Sequence, residues 1–286
     1  MGAGKRKPLR GLPHDGYAST MSTVKHVARV AKGSSAFRRI ARAGFVVLGL
    51  IHVIIGSIAI SIAAGASGDA DQDGAMEQIR QNPVGGLLLV FVAAGLIALA
   101  VWQIASAFLA ADPAETKKWG QRVKLFGIAL AYLVVAGMAL IYAVGGNADS
   151  ETASKTLSAI LLSAPGGVAL LVVVGLSVVG VGVGFVVGGF TRGFEKLLDL
   201  PSGVARGGIV TLGVIGYFGK GVAVAVTGVL FVVAAVTQDP EKGAGLDAAL
   251  HSLLELPLGG LVLGAVGAGF AVYGVFCIAR ARFARM

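Results

Sequence analysis

The stretch APGGVALLVVVGLSVVGVGVGFVVGGFT, Ala164–Thr191, contains no Asp, Glu, Lys or Arg. A helix needs about 20 apolar residues to cross the hydrocarbon of a bilayer, and this stretch is longer than that. Working outward from it, charge-free runs recur at Ala43–Gly68, Val84–Ala111, Leu125–Ala148, Gly221–Gln238 and Leu256–Ala279. The run Gly221–Gln238 is the shortest, but the apolar segment Gly207–Gly219 precedes it across Lys220. The alternation of a lipid-facing strand is missing, which argues against a β-barrel. The composition agrees: 56% of the chain is hydrophobic and 14% charged, against about a quarter charged in soluble domains. These observations predict an all-α integral membrane protein with six transmembrane helices.

The charges orient the spans. Lys and Arg stay on the cytoplasmic side during insertion. Of the 24 basic residues, all but Arg80, Lys155 and Lys242 lie in the N-terminal tail, in the links after the second and fourth spans (Lys220 at the edge of the latter), or at the C-terminus. The three opposite loops carry Asp69, Asp71, Asp73, Asp149, Glu151, Asp239 and Asp247. Both ends are therefore expected on the cytoplasmic side of a plasma membrane, which requires an even number of spans. The tail, residues 1–36, has no apolar run of signal-peptide length. Within it, Val24–Ala31 has Lys25, Arg29 and Lys32 on one face and Val24, Val27, Ala28 and Ala31 on the other. Two readings stand side by side, an interfacial helix on anionic lipid and a disordered retention tail. A mitochondrial transit peptide shares the basic, acid-poor look.

The chain repeats itself. A glycine sits inside each odd span (Gly56, Gly137, Gly228) and a glycine pair opens each even span (Gly85 and Gly86, Gly166 and Gly167, Gly259 and Gly260). A proline stands beside each pair (Pro83, Pro165, Pro257), which suits the first turn of a helix. Each copy reads as a span, an outer loop with a short helix, and a second span. The units run 37–115, 119–195 and 209–286, three parallel two-helix repeats about an axis along the membrane normal. The first and third copies share Gly44, Gly49 and Gly56 with Gly216, Gly221 and Gly228; the second has Leu125 and Leu130 instead. Stripes at four-residue spacing, Gly180, Gly184 and Gly188 in span four and Gly260 and Gly264 in span six, are expected to pack against neighbouring helices.

These features resemble a known family. The openings GFVVLGLIHVIIGSIAI (Gly44–Ile60) and GYFGKGVAVAVTGVLFV (Gly216–Val232), with DAALHSLLELPLGG (Asp247–Gly260), are similar to the bacterial membrane family catalogued as domain of unknown function 1206, common in actinobacteria. The resemblance runs from about Phe37 to Phe283 and implies a six-span plasma-membrane protein. It implies no reaction, ligand or catalytic residue.

Chemistry is sparse. No Asp or Glu lies within a span, which counts against a proton-coupled carrier. His52 is expected as a neutral imidazole bonded to a backbone carbonyl or a neighbouring helix, with a proton or ligand group facing a cavity as the alternative. Lys220, about one turn inside the edge of span five, is expected to snorkel to the headgroups, with contact to an anionic substrate as the alternative. Gln103 and Tyr132 read as interhelical hydrogen-bonding groups. The four histidines are isolated and Cys277 is the lone cysteine, so no metal site, cofactor or intrachain disulfide is expected. No phosphate loop or nucleophile motif occurs, and an enzyme is not expected. Lipid is the expected partner, with a second copy or another membrane protein, and not nucleic acid. The sequence favours a non-catalytic bundle with a structural, assembly or envelope-sensing role. The alternative is a small-solute or ion transporter with a path on the pseudo-threefold axis. The direction in which His52, Gln103 and Lys220 point separates the two.

Overall fold

A computed structural model of the protein describes residues 34–109, 115–243 and 245–285; the amphipathic segment Val24–Ala31 and nearly all of the basic tail lie outside them. Six long apolar helices are present: α1 (Ser35–Ala63), α3 (Gly85–Leu109), α4 (Glu115–Ala143), α6 (Gly167–Phe190), α7 (Val204–Thr237) and α9 (Gly259–Phe283). Three short helices, α2 (Gln72–Arg80), α5 (Ser150–Ser163) and α8 (Leu246–Ser252), sit in the acidic loops. The protein is thus a six-span, all-helical membrane protein built from three span–short helix–span units.

The short helices start where an aspartate supplies the missing acceptor. Asp71 accepts hydrogen bonds from the amides of Asp73 and Gly74, and Asp149 from that of Thr152, satisfying N-terminal donors that have no partner in the helix. The following span folds back against the end of each short helix. A Cβ on Gly85, Gly167 or Gly259 would collide with the carbonyl oxygens of Ile79, Leu161 or Leu254. These three glycines therefore fix the structural register. The pair in the second copy is offset by one residue from the sequence alignment, because Gly166 is the residue before the helix. It has φ 75°, as Leu258 has φ 61° in the third copy. Each proline lies two residues ahead of its glycine, before the first turn of the span and not in it.

Lipid gives no hydrophobic drive for helix association, so the spans must fit closely. Two interfaces do so through glycines seven apart. In α1 and α9, running antiparallel, Gly49 meets Gly274 and Gly56 meets Gly267. In α7 and α6, Gly221 meets Gly182 and Gly228 meets Gly175. A Cβ on Gly56 would lie 2.5 Å from the Gly267 oxygen, and one on Gly228 would lie 2.5 Å from the Val179 nitrogen. The four-residue stripe expected in span four is not the packed one. A Cβ on Gly180 or Gly184 meets nothing within 4 Å, and on Gly188 it only reaches the Tyr217 ring at 3.6 Å. Two antiparallel helices crossing at a shallow angle return to the same face every seven residues, not every four, so Gly175, Gly182 and Gly189 carry the contact. Gly264 makes an ordinary contact with Ala63, and Gly137 faces open space.

Helix neighbours run in the order α4, α3, α1, α9, α7, α6. The two ends of this series, α4 and α6, belong to the same repeat yet do not pack along their lengths. The sequence explains why. Within the first and third units the spans touch through Gly44 and Gly95, and through Gly219 and Gly269. At the register positions of Gly44 and Gly95, the second unit has Leu125 and Ser177. Exposure follows: Leu99 and Tyr273 are 1% and 4% exposed, whereas Val181, at the same register position, is 54% exposed. The bundle is a ring with one seam.

On the acidic face the loops tie each unit to the next, reinforcing the contacts the helices make between units. Asp73 accepts from the Ser150 amide at 2.6 Å and Asp71 from its hydroxyl at 2.8 Å, joining units one and two. Lys155 pairs with Glu241 at 3.1 Å, joining two and three. Asp247 accepts from the Ala70 amide at 2.6 Å, joining three and one. On the opposite face, which carries the chain ends, a 3₁₀ turn at Gly193–Leu197 pushes the buried Phe194 under the bundle. That turn is tied to the end of α9: the Asp199 amide donates to the Phe283 carbonyl at 2.7 Å and the Arg285 amide to that of Leu197 at 3.0 Å.

Candidate functional site

Lys220 lies between two glycines that each touch another span. Gly219 faces Gly269 of α9 and Gly221 faces Gly182 of α6. Three helices are thereby drawn together around the lysine stem, which does not snorkel. Its Nζ lies 2.9 Å from Nε2 of His52 on α1, 4.5 Å from the centre of the Tyr273 ring and 5.2 Å from that of Phe185. An imidazole acceptor and two ring faces, each ring worth about 0.5–2 kcal/mol to a cation, hold it inside where headgroups were expected to.

His52 makes the backbone bond expected of it. Its Nδ1 is 2.7 Å from the Leu48 carbonyl, which can only accept. Nδ1 therefore carries the proton, and the Nε2 lone pair is left to accept from the Lys220 ammonium. The ring is stacked on Phe270 at 5.7 Å and tilted against Tyr273 at 4.9 Å.

A second cation belongs to the same bundle. In the sequence Arg280 stands with Arg282 and Arg285 among the C-terminal charges. Its guanidinium instead sits 4.5 Å over the Phe45 ring, and its buried Nε has no hydrogen-bond partner among the described residues. The spacing Tyr273, Cys277, Arg280 places the three on one face of α9, which is the signal that was available. Between Lys220 and Arg280 the rings of Tyr217, Tyr273, Phe185, Phe194 and Phe276 form a continuous cluster with centroids 5.1–6.4 Å apart. Tyr132 of α4 is half-buried against the core and within electrostatic reach of Arg280. Gln103 occupies the register position of Phe185 and Cys277, yet no hydrogen bond among the described residues links it to His52 or Lys220. Neither Lys220 nor Arg280 forms an ion pair with a carboxylate among the described residues.

The acidic face holds a separate feature, a cavity of about 670 Å³ lined by Asp69, Asp71, Asp73, Glu77, Asp149, Glu151 and Asp247, with Arg80 and Tyr142. Burial raises the Asp71 carboxyl to about 6, against the opposing pull of the Gly74 amide and the Ser150 hydroxyl and reinforced by Asp73 and Asp247. Burial also raises Asp247, whereas the hydrogen bonds from Thr152 hold Asp149 low. A carboxyl whose folded pKa is raised binds its proton first in the folded state, so its contribution to stability grows as pH falls from about 6 to about 4 and is lost as pH rises. The two-unit shift corresponds to roughly 3 kcal/mol. Thermal unfolding in detergent between pH 4 and 7 is expected to show this rise in the native protein. Asp71→Asn, which keeps the cap and the shape, should reduce it, leaving the part that Asp247 contributes; an unchanged slope refutes the assignment to Asp71.

The repeats carry a family signature. Domain of Unknown Function (DUF1206) matches residues 43–110, 123–192 and 215–284. The chain belongs to this family. Each DUF1206 segment covers one hairpin; His52 falls in the first, Lys220 and Arg280 in the third, and the basic tail in none. The chain is also 28% identical over 253 residues to "Uncharacterized protein YxxB" of Bacillus subtilis (strain 168), which spans 87% of this chain and 92% of that protein. No solved structure matches it.

Proposed function

We propose that the protein binds an anion inside the bundle and acts as a carrier-type membrane protein, not as a passive scaffold or an enzyme. One observation carries this reading: Lys220 and Arg280 are held among aromatic rings, inside a membrane bundle whose spans contain no carboxylate. Uncompensated charge in a span is expensive and is retained where function needs it. A bound anion would offset the charge of the two cations, and the tyrosines would offer hydroxyl donors around it. We further place the chain ends in the cytoplasm of a cell whose plasma membrane holds the protein, on the distribution of Lys and Arg. Cysteines introduced near residues 150 and 242, with Cys277→Ala, should then react from outside and one near 285 should not.

The binding test is thermal unfolding of the purified full chain with chloride, phosphate, acetate and a long-chain fatty acid. A ligand at 100 times its Kd stabilises by about 2.7 kcal/mol. At least one anion should raise the unfolding temperature of the native protein and fail to do so in Arg280→Gln. The tight glycine interfaces favour a structural role as the second reading, and indifference to every anion would leave that one standing.

A further inference from the structure

The ring has three conceivable entrances to Lys220 and Arg280, and they differ. On the acidic face the loops of the three units are bonded to one another and the cavity there is lined mainly by carboxylates, which repel an anion. On the terminal face, Phe194 fills the space beside Tyr217, Gly213 and Phe276, and the strap between Leu197, Asp199 and the end of α9 ties it in place. The third entrance is the seam between α4 and α6. There Leu125 and Ser177 replace the glycines that seal the other two units, and Ser177 and Val181 are exposed where Gly95, Gly269, Leu99 and Tyr273 are buried. The seam is walled by apolar side chains, and it opens to lipid. Its walls also contribute to the cluster behind it: Phe185 of α6 lies 5.2 Å from the Lys220 ammonium, and Tyr132 of α4 lies near Arg280.

We propose that the anion is membrane-borne, an acyl chain ending in a charged oxyanion head, and that it enters sideways between α4 and α6, its head reaching Lys220 and Arg280 while its chain stays in the seam. This rests on the anion-binding reading and goes further, because it fixes the ligand class and the route. A small soluble anion would need neither an apolar seam nor a path from the bilayer. A long acyl chain needs both.

The test uses the full chain in phosphatidylcholine nanodiscs and a long-chain fatty acid bearing a diazirine. Illumination should attach the probe to peptides of α4 and α6. Palmitate should compete and acetate or inorganic phosphate should not. Arg280→Gln, and Val181→Trp, which fills the seam at an exposed position, should each lower labelling by about tenfold, the effect of losing one charged hydrogen bond or the site itself. Arg280→Lys should restore part of it, and Val275→Trp, at an exposed position of α9 away from the seam, should label like the native chain. Labelling that ignores Arg280→Gln would mean annular lipid only and overturns the proposal. So does a Val181→Trp protein whose mass in detergent drops from dimer to monomer, since the seam would then be an interface between copies. If acetate or phosphate binds in a manner that needs Lys220 and Arg280 but not an open seam, the route and ligand class fail while anion binding survives. If no anion depends on either cation, both fail.

Discussion

Exchanging Lys220 for methionine should stabilise the protein and abolish anion binding at the same time. A lysine at the centre of a span costs about 2.5–3.5 kcal/mol to insert. The faces of Tyr273 and Phe185 return part of that, at about 0.5–2 kcal/mol per ring, and the bond to His52 a little more. With the ring terms at the low end of that range, the balance favours methionine, which fills the same space without charge, by about 1–2 kcal/mol. His52→Leu should act in the opposite direction, because the half-buried lysine then loses the one hydrogen-bond acceptor it has among the described residues, at about 1–3 kcal/mol. The double variant should recover the stability of Lys220→Met, since the two side chains act as one unit. Unfolding temperatures of the four proteins, with an anion titration on each, check the whole set. A Lys220→Met protein that is less stable than the native chain would show that the lysine is part of the packing and not a cost carried for function.

The second large effect concerns the glycine interfaces. Gly56→Leu and Gly228→Leu should each prevent recovery of a monodisperse folded protein. The atoms in the way are the Gly267 oxygen and Ala271 nitrogen in one case, and the Val179 nitrogen and Gly175 oxygen in the other. Backbone cannot rotate aside as a side chain can, so the penalty should exceed the 1–3 kcal/mol that overpacking typically costs, by roughly a factor of two. Gly180→Leu and Gly184→Leu, in the same membrane and on the same helix as Gly175, should change stability by less than about 0.5 kcal/mol. Size-exclusion profiles and unfolding temperatures distinguish the two classes directly. Equal damage at all four positions would mean that α6 is packed on faces other than the one it turns to α7.

The spans and their threefold repetition were legible because the bilayer imposes them on the primary structure. A crossing helix must be long, apolar and uninterrupted, and a duplicated hairpin keeps its anchors. The weak second copy was legible too, as Leu125 and Leu130, although its consequence was not. Which faces meet depends on the angle at which helices cross, and no single helix records that. The stripe at Gly180, Gly184 and Gly188 therefore looked as good as the packed set at Gly175, Gly182 and Gly189. Lys220 reads as a headgroup residue because a single helix records only its depth, whereas His52 and Tyr273, which hold it inside, come from α1 and α9. Arg280 was hidden for a related reason. Near Arg282 and Arg285 it reads as one more terminal charge, and only its alignment with Tyr273 and Cys277 separates it from them.

Where α4 and α6 fail to meet, the molecule also acquires an uneven stiffness. The two helices are jointed by α5 at one membrane surface and, among the described residues, by nothing comparable at the other, while the helices opposite are locked backbone to backbone. Strain from any source, such as a thicker bilayer, lateral pressure or a guest between the helices, will collect at that joint. The outward swing will be greatest at the surface bearing the chain ends, so the protein should flex like a clothes-peg and not like a breathing barrel.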